Sequence, residues 1–150
     1  MYSTIRVTRE FTFEMAHVLL NYDGPCKNVH GHSYRLFVTL SGVPVKDSVN
    51  PKNGMVIDFS ELKKIIDENI INYFDHSVMI NSEASKPELK KTSELFNKFY
   101  FVDYQPTCEN LLDHIVRIIR DKLPDRIKLF SVKLRETETS YAEWYASDNQ

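Results

Sequence analysis

The chain has 150 residues, of which 42% are hydrophobic and 27% charged; a domain of that length buries roughly 68–70% of its unfolded surface, so residues 1–150 are expected to form a single domain. A formal net charge of -2 and a pI near 6.2 leave no positive field with which to hold a nucleic acid. The two cysteines are too few for a disulfide framework and read as thiols of a reducing compartment, and no apolar run at the start suits a signal peptide or membrane span, so a cytoplasmic protein is expected.

From Ile5 to His17 the odd positions are mostly apolar and the even ones polar, which is the period of a half-buried strand. Turn chemistry at Asn21 to Pro25 precedes a second strand, where His32, Tyr34, Leu36, Val38 and Leu40 share one parity up to Ser41-Gly42. A polar stretch from Pro44 to Gly54 then leads to Asp58, which with Glu61 suits a capped helix start, and Leu62, Ile65, Ile66, Ile70, Tyr73 and Phe74 recur at helical spacing. Residues 82–102 read as an excursion, part helical. Thr107 suits the N-cap of a second helix whose stripe is Leu112, Ile115, Val116, Ile119 and Leu123, ended by Pro124-Asp125. Two closing strands run from Phe130 to Glu136 and from Tyr141 to Ala146. This order predicts an α+β fold: a four-stranded antiparallel sheet with two helices on one face.

His30-Gly31-His32 places imidazoles at i and i+2, on one side of an extended chain, and His17 has the parity of the buried set of the first strand. If those strands are neighbours, the rings converge at one end of the sheet. His17, His30 and His32 with no fourth protein ligand describe an open zinc site. Cys26 stands four residues before His30. Beside a cation its thiol becomes a usable base or nucleophile, whereas as a fourth ligand it would close a structural site. Cys108, just inside a helix N-terminus, reads as a small buried hydrophobe.

Asp75-His76 follows the first helix, where a carboxylate can polarise an imidazole for acid–base work, although such a pair is ordinarily surface. Glu136 has the parity of Val132 and Leu134, so it is a carboxylate on an apolar face. It suits the paired N–H donors of a guanidine-like heterocycle edge, or an ion pair with Arg35 or Arg135. Lys27, next to Cys26, is the lysine placed near an anionic substrate tail, and His114 reads as a rim residue.

Phe11-x-Phe13-x-x-Ala16-His17, Cys26-x-x-x-His30-Gly31-His32, Val56-Ile57-Asp58-Phe59, Asp75-His76, Pro106-Thr107-x-Glu109-Asn110 and Arg135-Glu136-Thr137 occur together in this order. The set resembles the family of 6-pyruvoyltetrahydropterin and 6-carboxytetrahydropterin synthases, from about Phe11 to Tyr145. The resemblance implies the tunnelling fold, in which sheets from several subunits join into a barrel, as a homo-oligomer (a trimer or a dimer of trimers) with active sites between subunits. It implies Zn2+ on His17, His30 and His32, the catalytic cysteine at Cys26, the catalytic histidine at His76 with Asp75 beside it, and the pterin-anchoring glutamate at Glu136. Thr107 matches a position that helps hold the pterin in relatives. The implied partner is a small pterin triphosphate; no motif implies Mg2+ as well, and that requirement stays open.

The compact spacing of Cys26 and His30 resembles the bacterial 6-carboxytetrahydropterin synthases of queuosine biosynthesis. Those are zinc-dependent lyases that convert 7,8-dihydroneopterin triphosphate to 6-carboxy-5,6,7,8-tetrahydropterin, releasing acetaldehyde and triphosphate. A 6-pyruvoyltetrahydropterin synthase, which eliminates triphosphate without losing side-chain carbons, shares the same site. Two further readings are a non-catalytic zinc-binding module and a cyclohydrolase-like enzyme on the same barrel. The 82–102 excursion is longer than compact bacterial members lead one to expect.

Overall fold

The computed structural model describes residues 3–84 and 86–150. Met1 and Tyr2 of the opening run, and Ser85 of the excursion, lie outside the described residues. Strand β1 (Ile5–Val18) and strand β2 (His30–Gly42) form one long antiparallel pair, in register from Ile5 opposite Gly42 to His17 opposite His30. The alternation read from the sequence is the pleat itself: Phe11, Phe13, Met15 and His17 are buried, and so are Tyr34, Leu36, Val38 and Leu40 across from them. Strand β5 (Lys128–Arg135) pairs antiparallel with β2, through a register shift between Thr39 and Leu40, and β6 (Tyr141–Tyr145) pairs antiparallel with β5.

The buried sheet face is covered by helices. Helix α1 (Phe59–Ile66) runs through a π-helical turn (Asp67–Ile71) into the short α2 (Asn72–Phe74). The Asp58 carboxylate caps its start by accepting from the Ser60 N–H and pairs with Lys52. Leu62, Ile66, Ile70 and Phe74 are completely buried, and each such side chain contributes about 1.5–3 kcal/mol. Helix α4 (Cys108–Lys122) lies beside it, capped by the Thr107 hydroxyl and burying Leu111, Leu112, Ile115, Val116 and Ile119.

The four-stranded antiparallel expectation is corrected by two further strands. The sheet has six, in the order β4-β3-β1-β2-β5-β6, and it is mixed: β3 (Ser77–Asn81) runs parallel to the end of β1, and β4 (Phe99–Val102) runs parallel to β3. At 5 and 4 residues these strands are too short to show a period. The excursion between them is a crossover that carries a third helix, α3 (Pro87–Ser93), which buries no residue. Among the described residues no helix is long and apolar enough to cross a membrane.

Candidate active site

The ends of β1 and β2 set the three imidazoles. His17 faces His30 across the antiparallel pair while His32 faces Met15, so all three rings project from the buried face. Their ring centroids are 4.5, 4.9 and 5.1 Å apart, and one ligand nitrogen from each lies within 4.8 Å of the others. His17 is 1% exposed.

The donor chemistry of this cluster fits a cation. His17 Nδ1 lies 2.7 Å from the Pro106 carbonyl and His30 Nδ1 lies 2.8 Å from the Asn28 carbonyl. Carbonyls only accept, so each Nδ1 carries the proton and each Nε2 is left with a lone pair. Those two Nε2 atoms face each other at 2.9 Å. The Nε2 of His32 is buried with no hydrogen-bond partner, 3.4 Å from a Glu136 carboxylate oxygen. Converging lone pairs and an unpartnered buried nitrogen are what a metal ion would bring together. Burial holds His17 down to about 4, with the neighbouring His30 and His32 acting in the same direction and the Pro106 hydrogen bond opposing. Burial likewise lowers His32, against the pull of Glu136. Both shifts favour the neutral form of the ring, which is the form that binds a metal.

A cavity of about 340 Å³ opens beside this cluster, lined among others by His17, Cys26, Thr107, Cys108 and Glu136. Cys26 reaches it because the loop after β1 closes on itself, with the Leu19 N–H donating to the Cys26 carbonyl at 3.1 Å. Its thiol lies outside the group of converging ligand atoms, which disfavours the closed four-ligand site. The Cys108 thiol donates weakly to the Leu134 carbonyl at 3.5 Å, and burial followed by the charge of Glu136 pushes it up to about 12. It is an unreactive thiol at neutral pH.

Glu136 does not form the arginine pair considered for it. Arg35 binds Glu10 at 2.5 Å on the opposite face of β2, because its parity is that of the polar residues. The carboxylate of Glu136 is left to His32 and the cavity. Thr107 lines the cavity while its hydroxyl serves as the α4 cap.

Asp75 and His76 lie apart from Cys26. His76 is 76% exposed and lines a second depression of about 310 Å³ with Glu14, Gly31 and His32. Its backbone has a φ of 58°, in the left-handed region, and its ring sits 3.7 Å from the Asp75 carboxylate. Lys27 is exposed in the turn Pro25–Lys27 and does not line the Cys26 cavity. His114 is half-buried on a separate depression lined also by Asp113 and Arg117, 2.6 Å from the Tyr104 hydroxyl and edge-on to Phe74 at 5.7 Å. Its place on α4 turns it toward Phe74 of α2.

Sequence reasoning missed the groups that orient the ligands, Pro106 and Asn28, because they act through backbone carbonyls that every residue possesses. It also missed Tyr34, whose completely buried hydroxyl has no hydrogen-bond partner and whose ring lies 5.6 Å from that of His32.

The α+β fold gathers three histidines, placed so that they could hold a metal ion, beside a cysteine and a carboxylate on one cavity. The model of the 6-pyruvoyl tetrahydropterin synthase family matches residues 6–147, and the chain belongs to that family. It is 35% identical over 141 residues to the 6-carboxy-5,6,7,8-tetrahydropterin synthase of Haemophilus influenzae, covering 93% of this chain and 97% of that one. It is 30% identical over 147 residues to the 6-pyruvoyl tetrahydrobiopterin synthase of Pongo abelii, covering 90% and 87%. Among solved structures, the 6-pyruvoyl tetrahydropterin synthase of Caenorhabditis elegans shares the fold, with a TM-score of 0.67 at 23% identity over 97% of each chain.

Proposed function

We propose that this chain is a zinc-dependent lyase that takes 7,8-dihydroneopterin triphosphate and water to 6-carboxy-5,6,7,8-tetrahydropterin, acetaldehyde and triphosphate. The observation that carries the reading is the meeting of the His17–His30–His32 cluster with Cys26 and Glu136 around one cavity. The family membership and the name of the Haemophilus influenzae relative support the choice of substrate and product.

Zinc on His17, His30 and His32 would supply Lewis acidity to the oxygens of the substrate side chain. Cys26, half-buried on the cavity wall, takes the proton from the activated side-chain carbon. Glu136 sits on the inner wall, where a carboxylate fits the two N–H groups of the pterin edge and turns the side chain toward the metal. Thr107 lies on the same wall. His76, oriented by Asp75, acts as the second acid–base group. Because it is presented outward on a different depression from Cys26, we assign the pairing of the two to neighbouring copies of the chain, in keeping with a family whose sheets join into barrels. Each copy contributes residues 1–150 as one domain.

The name of the Pongo abelii relative favours a second reading, production of 6-pyruvoyltetrahydropterin by triphosphate elimination and internal redox. Incubating the zinc-loaded protein with 7,8-dihydroneopterin triphosphate separates the two. Acetaldehyde with a product of 6-carboxy mass supports the first, pyruvoyl product without acetaldehyde selects the second, and intact substrate overturns both.

A further inference from the structure

We propose that Lys98 is a positioning residue that locks the Asp75–His76 peptide in the conformation needed by His76, and that the 82–102 excursion serves to deliver it. The inference rests on His76 as the acid–base group proposed above.

A residue other than glycine keeps a φ of 58° only where the surrounding structure over-determines it. At His76 the peptide bond is held from both sides. The His76 N–H donates to the Glu14 carbonyl at 2.6 Å, and the Glu14 N–H donates in turn to the Asp75 carboxylate at 2.8 Å. On the other side the Lys98 ammonium donates to the Asp75 carbonyl at 2.8 Å and to the Asn72 carbonyl at 2.7 Å. Were the helix to continue past α2, the Asn72 carbonyl would accept the His76 N–H. That N–H is diverted to β1, and Lys98 supplies the missing donor as a cation at a helix C-terminus. A flip of the 75–76 peptide would break the Lys98 bond and the Glu14 bond together.

Lys98 is itself fixed. Its carbonyl accepts the Val78 N–H at 2.9 Å, and Phe99 starts β4 opposite Val78 in parallel register. The crossover 82–98 thus returns the chain to the corner it left, with an ammonium aimed at the two carbonyls. The excursion otherwise contributes little to the core: α3 buries nothing, and Leu95 and Phe96 are exposed.

The test uses the full-length, zinc-loaded protein as Lys98→Met and Lys98→Arg, with steady-state turnover of 7,8-dihydroneopterin triphosphate and amide hydrogen exchange as readouts. Lys98→Met is expected to lower kcat by about tenfold or more, with KM within about twofold and zinc content unchanged. Exchange at the His76 amide should accelerate by about tenfold while the β1–β2 core amides stay as in wild type. Lys98→Arg, whose guanidinium also offers donors to two carbonyls, should recover most of the loss. Wild-type exchange at His76 in Lys98→Met, acceleration spread evenly over the whole sheet, or an arginine variant no better than methionine would each overturn the proposal. His76→Ala is the companion measurement. Wild-type turnover there refutes the role of His76, and the exchange result then judges the clamp by itself.

Discussion

His17 and His30 face each other through their Nε2 atoms at 2.9 Å, and each donates its Nδ1–H to a backbone carbonyl. Two lone pairs at that distance repel unless a cation lies with them. Relief of that repulsion tightens metal binding, and the bound metal should stabilise the folded chain by about 2.7 kcal/mol at a free metal concentration 100 times Kd. We expect chelation to lower Tm by several degrees, and His17→Ala, His30→Ala or His32→Ala to remove both the bound metal and the chelator effect. A Tm indifferent to chelator in the wild type would refute the metal assignment.

The depressed His17 gives the metal-free protein a pH dependence of definite sign. Its value is about 4 when folded against 6.5 as the ordinary value, so the unfolded chain binds more protons between those limits. The stabilising contribution is fully present above pH 6.5 and is lost as pH falls toward 4, amounting to roughly 3 kcal/mol at most. Urea unfolding of metal-free protein at pH 7 and pH 5 should show the loss, and His17→Leu should reduce it. Equal pH slopes in the two proteins would contradict the assignment.

The two thiols should separate chemically. Cys26 is partly exposed on the cavity, while Cys108 is pushed up to about 12 and bonded to the Leu134 carbonyl. Iodoacetamide at pH 8 is expected to label Cys26 and spare Cys108, as read by peptide mass. Cys26→Ala should abolish turnover with zinc retained, whereas Cys108→Ala should keep turnover within a factor of about three. Near-normal turnover in Cys26→Ala would remove it from the mechanism.

Tyr34 makes a prediction about stability. Its ring stacks on Phe13 at 5.1 Å, and burial raises the phenol well above its ordinary range. A buried hydroxyl without a partner costs about 1–3 kcal/mol, and phenylalanine keeps the stack without the hydroxyl. Tyr34→Phe should therefore be more stable than the wild type to urea by about 1 kcal/mol. A loss of that size instead would mean that the hydroxyl is satisfied in solution.

Much of the candidate site was legible in the sequence because it lies on long, regular strands. Alternation over β1 and β2 put His17, His30 and His32 on the buried face, and the turn between the strands kept Cys26 near them. The Asp58 and Thr107 caps and the apolar stripes of α1 and α4 were visible for the same reason: hydrophobic periodicity and capping chemistry are local properties of side chains.

Tertiary structure alone decided the remainder. The parallel edge strands β3 and β4 are too short to declare themselves, and their pairing depends on where the 82–98 crossover returns. Glu136 faced a choice between arginine and the histidine cluster, and the choice followed from Arg35 pointing to the other side of the sheet. The tautomers of His17 and His30, and the pinned peptide of His76, are set by the carbonyls of Pro106, Asn28, Asp75 and Glu14 and by one lysine far along the chain. Backbone carbonyls and N–H groups are common to nearly every residue, so their pairing leaves no mark in composition or spacing. The sequence by itself determined that His17, His30 and His32 share the buried face of two long strands, because alternation is a local property; only the folded backbone decided the partner of Glu136, the separation of His76 from Cys26 and the orientation of each ring.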